Sequence, residues 1–273
     1  MTRTQSITRF AAPILLGLIV IAGWQFLASA QLVDDYLLPS PAAIVAEIAE
    51  FAPGLAGSAV ITGTNALIGL TLGSVVAVLL ALAAARTPIA EGVLNPIVAG
   101  LAVVPIVALA PVLNTMYGAD SQFSRQAIAG LATFVPVFVN SLRGLRQARP
   151  VHRDLLRVYA ASPMQTAFRL TLPTARPFIF TGIRIASSLA VISSLVAEYF
   201  GGPRGGLGGL ISTSAASSAY ARAWAYVVGA IVLGLLFFVV TSALERIATP
   251  SSSRRSRRAA VPDSTHRTRK GQP

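Results

Sequence analysis

The sequence predicts an all-α protein that crosses a membrane several times, and three observations support this. Hydrophobic residues make up 54% of the 273 residues and charged residues only 12%, whereas an ordinary soluble domain is about 25% charged. Long charge-free runs recur along the chain, each close to the ~20 apolar residues that a spanning helix needs. Arginines cluster between alternate runs. A soluble fold of this length would need polar surface that this chain lacks.

The composition also excludes several kinds of site. The chain has no cysteine and only two histidines, His152 and His266, both in polar, Arg-rich surroundings. Disulfides, thiolate metal sites and sites built on several histidines are therefore not available. No GxSxG or HExxH motif is present, so we predict no catalytic residue, metal site or resident cofactor, and a protein that is not an enzyme.

A nucleotide-binding loop is likewise missing from the sequence. The glycine-rich stretch GGPRGGLGGL at 201–210 lacks the Lys and the Ser/Thr that a phosphate loop places on phosphate and magnesium. We interpret it as a re-entrant or surface loop. Any ATP hydrolysis linked to this chain is then expected in a partner.

Six spans are predicted from the apolar runs: 11–30, 58–85, 92–116, 126–143, 177–198 and 223–246. Pro105 and Pro111 are expected to kink or break the third span. The first span has an alternative interpretation as a signal peptide, because Ala28-Ser29-Ala30 resembles a cleavage site. Its apolar run is, however, longer than the roughly 7–15 residues of a signal core.

The arginines predict the orientation of the spans. If the N-terminus is cytoplasmic and six spans alternate, eighteen basic residues lie inside and three lie outside, with Arg184 left within a span. The outside three are Arg125, Arg204 and Arg222. Loops rich in Lys and Arg stay cytoplasmic, so both termini are predicted inside. The formal charge of +12 then mostly reflects the orientation of the spans in the membrane, and no nucleic-acid partner is expected.

Two further segments flank the spans. Residues 1–248 form the predicted membrane domain, and the Ser/Arg-rich tail 249–273 is expected to be disordered and to lie near anionic membrane lipid. After the first span, Ser40 and Pro41 are typical of a helix start, and Ile44, Ile48 and Phe51 would share one face. We predict a short interfacial helix there, either a structural lid or a contact for a soluble partner.

Residues 144–176 form a polar, Arg-bearing segment between the fourth and fifth spans. Leu155, Leu156, Val158 and Tyr159 give it an apolar side. Ser162-Pro163-Met164-Gln165 is typical of a capped helix start. We predict one short helix that ends near Ala161 and a second that begins at Pro163 and stops at Pro173. On these grounds alone, the segment either docks in a groove of another protein or lies on the inner leaflet.

This segment resembles a known motif. Residues 154–173, DLLRVYAASPMQTAFRLTLP, are similar to the cytoplasmic "EAA" loop of ABC-importer permeases, whose pattern is Glu-Ala-Ala, three residues, Gly, nine residues, Ile, one residue, Leu-Pro. Asp154 takes the Glu position, Ala160 the Gly position and Leu170 the Ile position, while Leu172 and Pro173 match outright. The spacing is kept and most identities are replaced conservatively.

The flanking sequence resembles one branch of that family. LPTARPFIFTGIRIASSLAVISSLVAEYFGG, LPSPAAI and VVPIVALAPVL look like the taurine/sulfonate, nitrate and thiamine-pyrimidine importer permeases. The resemblance implies a type I permease fold in a bacterial inner membrane, a permease dimer, two cytoplasmic ATPase subunits that bind the ATP, and an extracytoplasmic solute-binding protein. It assigns ATPase coupling to these residues: Asp154, Tyr159, Ala160, Ala161, Ser162, Pro163, Leu172 and Pro173.

The sequence defines the residues of the translocation path less well than those of the coupling segment. Candidates for it are Pro105, Ser187, Ser188, Ser193, Ser194 and Glu198, although serines in spans often serve helix packing instead. Glu198 is expected either to line a gate or to face external water. Arg184 is expected to snorkel to the inner surface. The expected function is import of a small organic solute by alternating access; the alternative is an ion-coupled secondary transporter or channel.

Overall fold

The computed structural model describes residues 3–34, 36, 38–118, 121–201 and 205–249. The predicted tail lies outside these residues except for Thr249, as does Arg204. The described residues contain helices and no strand, as the sequence predicts. In chain order the helices are α1 Arg3–Ser29, α2 Pro41–Glu50, α3 Ala52–Arg86, α4 Pro88–Val103, α5 Ala110–Tyr117, α6 Gln122–Leu145, α7 Pro150–Val158, α8 Pro163–Thr166, α9 Leu172–Gly201, α10 Leu207–Ala216 and α11 Tyr220–Ala248.

Five stretches of the described residues are long and apolar enough to cross a membrane. They correspond to five of the six predicted spans: Ala11–Ser29, Ala52–Arg86, Gln122–Leu145, Pro163–Gly201 and Tyr220–Ala248. The remaining predicted span, 92–116, is divided into α4, a 3₁₀ turn at Ile106–Leu109, and α5. A count of six therefore includes one broken element.

The break in this element has a local cause at Pro105. Proline disfavours helical backbone in the residue before it, and Val104 is extended, with φ −65° and ψ 126°. Pro111 lies in the first turn of α5, where its missing N–H removes no intrahelical bond. The expected interruption is confirmed between Val103 and Ala110, with Pro105 inside it and Pro111 at the start of the next helix.

Two predicted boundaries differ from the structure. The second span was expected to begin at Ser58, but α3 begins at Ala52, because a proline in the first turn is compatible with a helix. Arg125 was expected in an outer loop, but it lies inside α6 and is 1% exposed.

Helices α3, α6 and α9 form the core of the fold. Their contact faces carry small residues, among them the fully buried Ala66, Ala77, Ala186 and Ala190. At Gly69 an added Cβ would lie 2.5 Å from the Cβ of Ala129, so the helix backbones approach closely. Such small-residue contacts are the usual means of helix association in a membrane, where burial of apolar surface gives no advantage over lipid.

The short helix predicted after the first span is present as α2, and its place at the membrane surface stays a prediction. The Ala43 N–H donates to Ser40 Oγ at 3.2 Å, and Ile44 is buried. Glu47 pairs with Arg222 of α11, Nε to Oε2 at 2.9 Å, and the Arg222 guanidinium lies 3.6 Å from the centre of the Phe51 ring. These contacts fasten α2 to the last helix.

Candidate docking and transmission site

The segment at 144–176 forms a helix, a tight corner and a second helix. Helix α7 ends in a Schellman motif: the Ala160 N–H donates to the Arg157 carbonyl and the Ala161 N–H to the Leu156 carbonyl, both at 2.9 Å. Ala160 therefore has a left-handed backbone, with φ +52°. Glycine is usual at this position because a Cβ in that conformation costs about 1 kcal/mol.

The second helix begins with the predicted capping box. The Gln165 N–H donates to Ser162 Oγ at 3.2 Å, and the Ser162 N–H donates to Gln165 Oε1 at 2.9 Å. Pro163 occupies the first turn. We call residues Tyr159–Pro163 the corner. Its shape is fixed on both sides by these backbone bonds.

The corner and its flanking turns expose large apolar side chains. Val158 is 82% exposed and Tyr159 75% exposed. Also exposed are Val151, Leu155, Met164 and Phe168. Asp154 is exposed as well and makes only a loose pair with Arg157, 3.4 Å from Oδ1 to NH1. Several large exposed apolar side chains close together in sequence are typical of an interaction site.

The helix that leaves the corner does not stop at Pro173, which corrects the sequence prediction. Helix α8 continues through a π turn at Ala167–Thr171 into α9, and the Leu172 N–H bonds to the Ala167 carbonyl, five residues back. The wider turn accommodates the proline, whose ring would crowd a regular helix. Leu172 packs against the core, while Pro173 is exposed. The predicted second helix and fifth span are thus one continuous element, Pro163–Gly201.

The base of the segment is packed tightly between α6 and α9. At Gly144 an added Cβ would lie 2.6 Å from the Phe178 Cβ and 3.0 Å from the Ala175 carbonyl oxygen. Glycine is therefore required there by the close approach of the two helices.

The predicted path residues do not form one surface in the described structure. Pro105 is exposed and Ser188 half-buried. Ser187, Ser193 and Ser194 are buried within the chain. Ser187 Oγ donates to the Arg184 carbonyl at 2.7 Å and lies 3.0 Å from Thr241 Oγ1 of α11, so helix packing accounts for it.

Glu198 is buried at the end of α9 and does not face water, being 1% exposed. Its Oε2 accepts from the Thr62 hydroxyl at 2.7 Å and from the Gly208 N–H at 3.2 Å. The carboxylate lies at the N-terminus of α10, where free backbone N–H groups favour an anion. Of the two expectations for Glu198, exposure to external water was wrong for this conformation.

A polar network that the sequence did not predict begins at Asn65, three residues after Thr62 on α3. Asn65 donates to Gln122 Oε1 at 2.8 Å and accepts from Gln126 at 3.1 Å, and Arg125 NH1 donates to Gln122 Oε1 at 3.0 Å. The network joins α3 to the N-terminal end of α6. Single polar residues in apolar runs were its only signal in the sequence.

Arg184 has an acidic partner that the sequence did not predict, while its snorkelling to the inner surface stays a prediction. Its Nε lies 2.9 Å from Glu245 Oε2 of α11, so the two side chains form an ion pair. The Arg184 Nε–H does not point at the carboxylate and makes no hydrogen bond to it. The Thr181 hydroxyl donates to Glu245 Oε1 at 2.6 Å. Glu245 was not predicted as a partner, although a lone acid late in the last apolar run was a signal for it.

The comparisons with known proteins agree with this architecture. Residues 51–253 match the family described as binding-protein-dependent transport system inner membrane component. The formylaminopyrimidine transport permease protein ThiX of Halalkalibacterium halodurans is 32% identical over 200 residues, which cover 71% of this chain and 77% of that protein.

More distant relatives extend the match. The taurine transport system permease protein TauC of Escherichia coli is 24% identical over 243 residues, 85% of this chain and 86% of the relative. The nitrate import permease protein NrtB of Synechocystis is 25% identical over 191 residues, 70% of this chain and 69% of the relative. These relatives are transport components and not enzymes. The chain therefore belongs to the family of binding-protein-dependent transport system inner membrane components, and it is an all-α, multi-pass ABC-transporter permease.

Proposed function

We propose that this chain is the membrane-spanning subunit of an ATP-driven importer and that its corner docks on a separate cytoplasmic ATPase subunit. One observation carries the proposal: the exposed apolar corner is continuous with the long core helix through the π turn. A force on the corner is therefore transmitted to α9. ATP is bound and hydrolysed by the partner, and this chain holds no cofactor of its own.

The mechanism follows from that connection. ATP-driven closure of two ATPase subunits moves two corners, one from each copy of a permease homodimer, toward each other. The attached helices rock as rigid bodies and switch a central path between inward and outward access. No covalent chemistry occurs in this chain.

Pro105 and Ser188 are proposed to line the solute path already in the described conformation, because both are accessible there. Ser193, Ser194 and Glu198 line it only when the helices move apart. Ser187 is assigned to helix packing, because its hydroxyl contacts α11.

The proposed cargo is a small organic solute of the sulfonate or thiamine-pyrimidine kind, or nitrate, delivered by an extracytoplasmic binding protein. Support comes from the solutes for which the relatives are named. We place both termini in the cytoplasm of a bacterial inner membrane, because most arginines then lie inside. Membrane lipid surrounds α1, most of whose apolar side chains between Ile14 and Leu27 are exposed.

Copurification tests the docking proposal. Ala160→Arg places a long charged side chain on the corner, and Ala160→Gly is the matched control that keeps the left-handed turn. From mild detergent, the tagged wild type and Ala160→Gly should retain a stoichiometric ATPase subunit, and Ala160→Arg should lose it without loss of membrane insertion. Retention by Ala160→Arg, with transport intact, would contradict the assignment.

The alternative is an ion-coupled secondary transporter or channel, and the observation that favours it is the buried Glu198, whose Oε1 has no hydrogen-bond partner among the described residues. Uptake into cells separates the two. Import that stops on ATP depletion but survives a protonophore supports the ATP-driven importer, and the reverse supports the alternative.

A further inference from the structure

We propose that Glu245 is a positioning residue for energy coupling: it holds α11 against α9, so that a displacement of the corner moves both helices as one body. The inference rests on the proposed function, because it concerns how motion at the docking site reaches the rest of the permease. No residue of α11 belongs to the segment that the family resemblance assigns to coupling.

The Glu245 carboxylate is engaged at both oxygens by α9. Oε2 lies 2.9 Å from Arg184 Nε, and Oε1 accepts from the Thr181 hydroxyl at 2.6 Å. Thr181 and Arg184 are three residues apart, so they share one helical face. A single acid on α11 thus meets two side chains on consecutive positions of that face.

A second contact lies about one turn further along the same interface. Ser187 Oγ is 3.0 Å from Thr241 Oγ1. Ser187 is three residues after Arg184, and Thr241 is four residues before Glu245, so the two contacts are in register on antiparallel faces. The Arg184 guanidinium also lies 5.7 Å from the centre of the Phe238 ring.

Burial makes these contacts costly to break. The Glu245 side chain is 19% exposed and the Arg184 side chain 34% exposed, and both belong to long apolar helices. A charge left without its partner inside a bilayer is strongly unfavourable. Sliding or separation of α9 and α11 would leave two such charges, so the pair resists both movements.

The position of the pair gives it a role in transmission. Helix α9 continues without a break from the corner, and Arg184 lies beyond the π turn at Ala167–Thr171. Motion that passes this turn therefore reaches α9 and α11 together. Without the Glu245–Arg184 pair, α9 would move alone. Part of the ATP-driven displacement would then be lost, because the two helices would slide past each other.

The experiment uses the complete transporter, with its ATPase and binding protein, in proteoliposomes. The test variants are Glu245→Gln, Arg184→Glu and the exchanged pair Arg184→Glu/Glu245→Arg. The control is Glu50→Gln, which removes an exposed acid. The readout is the ratio of solute imported to ATP hydrolysed. A residue that only supports folding would change the yield of assembled complex and leave this ratio unchanged.

We expect each single variant at the pair to lower the ratio roughly fivefold or more, with the ATPase still bound, and the exchanged pair to recover most of it. An unchanged ratio in Glu245→Gln, when the wild type is coupled, would overturn the inference. Absence of ATP-dependent import in the wild type would instead overturn the proposed function, so the two failures are distinguishable.

A covalent version of the test does not depend on charge. The chain has no cysteine, so Ser187→Cys/Thr241→Cys would create a single pair where the two hydroxyls lie close enough for a disulfide with small adjustment. If α9 and α11 move as one body, the oxidised transporter keeps its import rate. Loss of import on oxidation, reversed by a reductant, would show that the helices must slide and would overturn the inference.

Discussion

The Thr62 hydroxyl joins three helices through one side chain, because it donates to Glu198 Oε2 at 2.7 Å and accepts from the Leu207 N–H at 2.9 Å. Thr62 belongs to α3, Glu198 to α9 and Leu207 to the first turn of α10. All three residues are buried. This contact fixes α10 to the core where the chain leaves α9.

Thr62→Val should therefore destabilise the protein by about 2 kcal/mol, since it leaves a buried carboxylate oxygen and a buried N–H with fewer partners. Thr62→Ser should be close to wild type. Thr64→Val is the control, because the Thr64 hydroxyl bonds only to the Val60 carbonyl of its own helix and is exposed. Thermal unfolding in detergent, followed by tryptophan fluorescence, measures the effect; equal midpoints for Thr62→Val and Thr64→Val would refute it.

Gly144→Ala should weaken the base of the docking segment. The new Cβ would lie 2.6 Å from the Phe178 Cβ, so α6 and α9 must separate, at a cost of about 1–3 kcal/mol. Gly234→Ala is the control, since nothing lies within 4 Å of its added Cβ and alanine favours a helix. The melting midpoint should fall for Gly144→Ala and stay or rise for Gly234→Ala. A stable Gly144→Ala protein with unchanged transport would show that this contact relaxes freely.

Ala160→Gly should stabilise the corner. Ala160 has φ +52°, and glycine adopts this conformation without the steric cost of a Cβ, a difference of about 1 kcal/mol. Hydrogen exchange of the Ala160 and Ala161 amides, which close the Schellman motif, should slow by several-fold. Faster exchange in the glycine variant would mean that chain entropy outweighs the relief of strain.

Arg222→Gln should release α2 from α11. The substitution removes the ion pair with Glu47 and the stack on Phe51. A cysteine at Ile44, which is 4% exposed, should resist a thiol reagent in the parent and react in Arg222→Gln. A cysteine at Val45, which is 64% exposed, should react in both. Continued protection at position 44 would show that apolar packing alone holds α2.

Much of the fold follows from the sequence because its determinants are local. Apolar run length predicts the long helices, and the caps at Ser40 and Ser162 form as their residue types require. The effect of a proline was predictable only in part. Pro105 interrupts its helix, while Pro173 lies within the continuous element just after a π turn and Pro177 lies inside α9.

The contacts between helices were harder to predict, because they depend on which faces meet. Glu245 and Arg184 are far apart in sequence, and only packing of α11 on α9 brings them together. Arg125 near a span end resembles an ordinary loop arginine until α6 extends past it and buries it. The exposed apolar side of the corner, in contrast, was predictable because it is formed by residues close in sequence.

A photo-crosslinking side chain at Val158 tests the central claim most directly. Val158 and Ile89 are both 82% exposed, and both lie on the predicted cytoplasmic side, so Ile89 is a matched control. In cells that express the whole transporter, a crosslinker at 158 should capture the ATPase subunit and one at 89 should capture far less. Equal capture at both positions, or capture only at 89, would contradict docking at the corner.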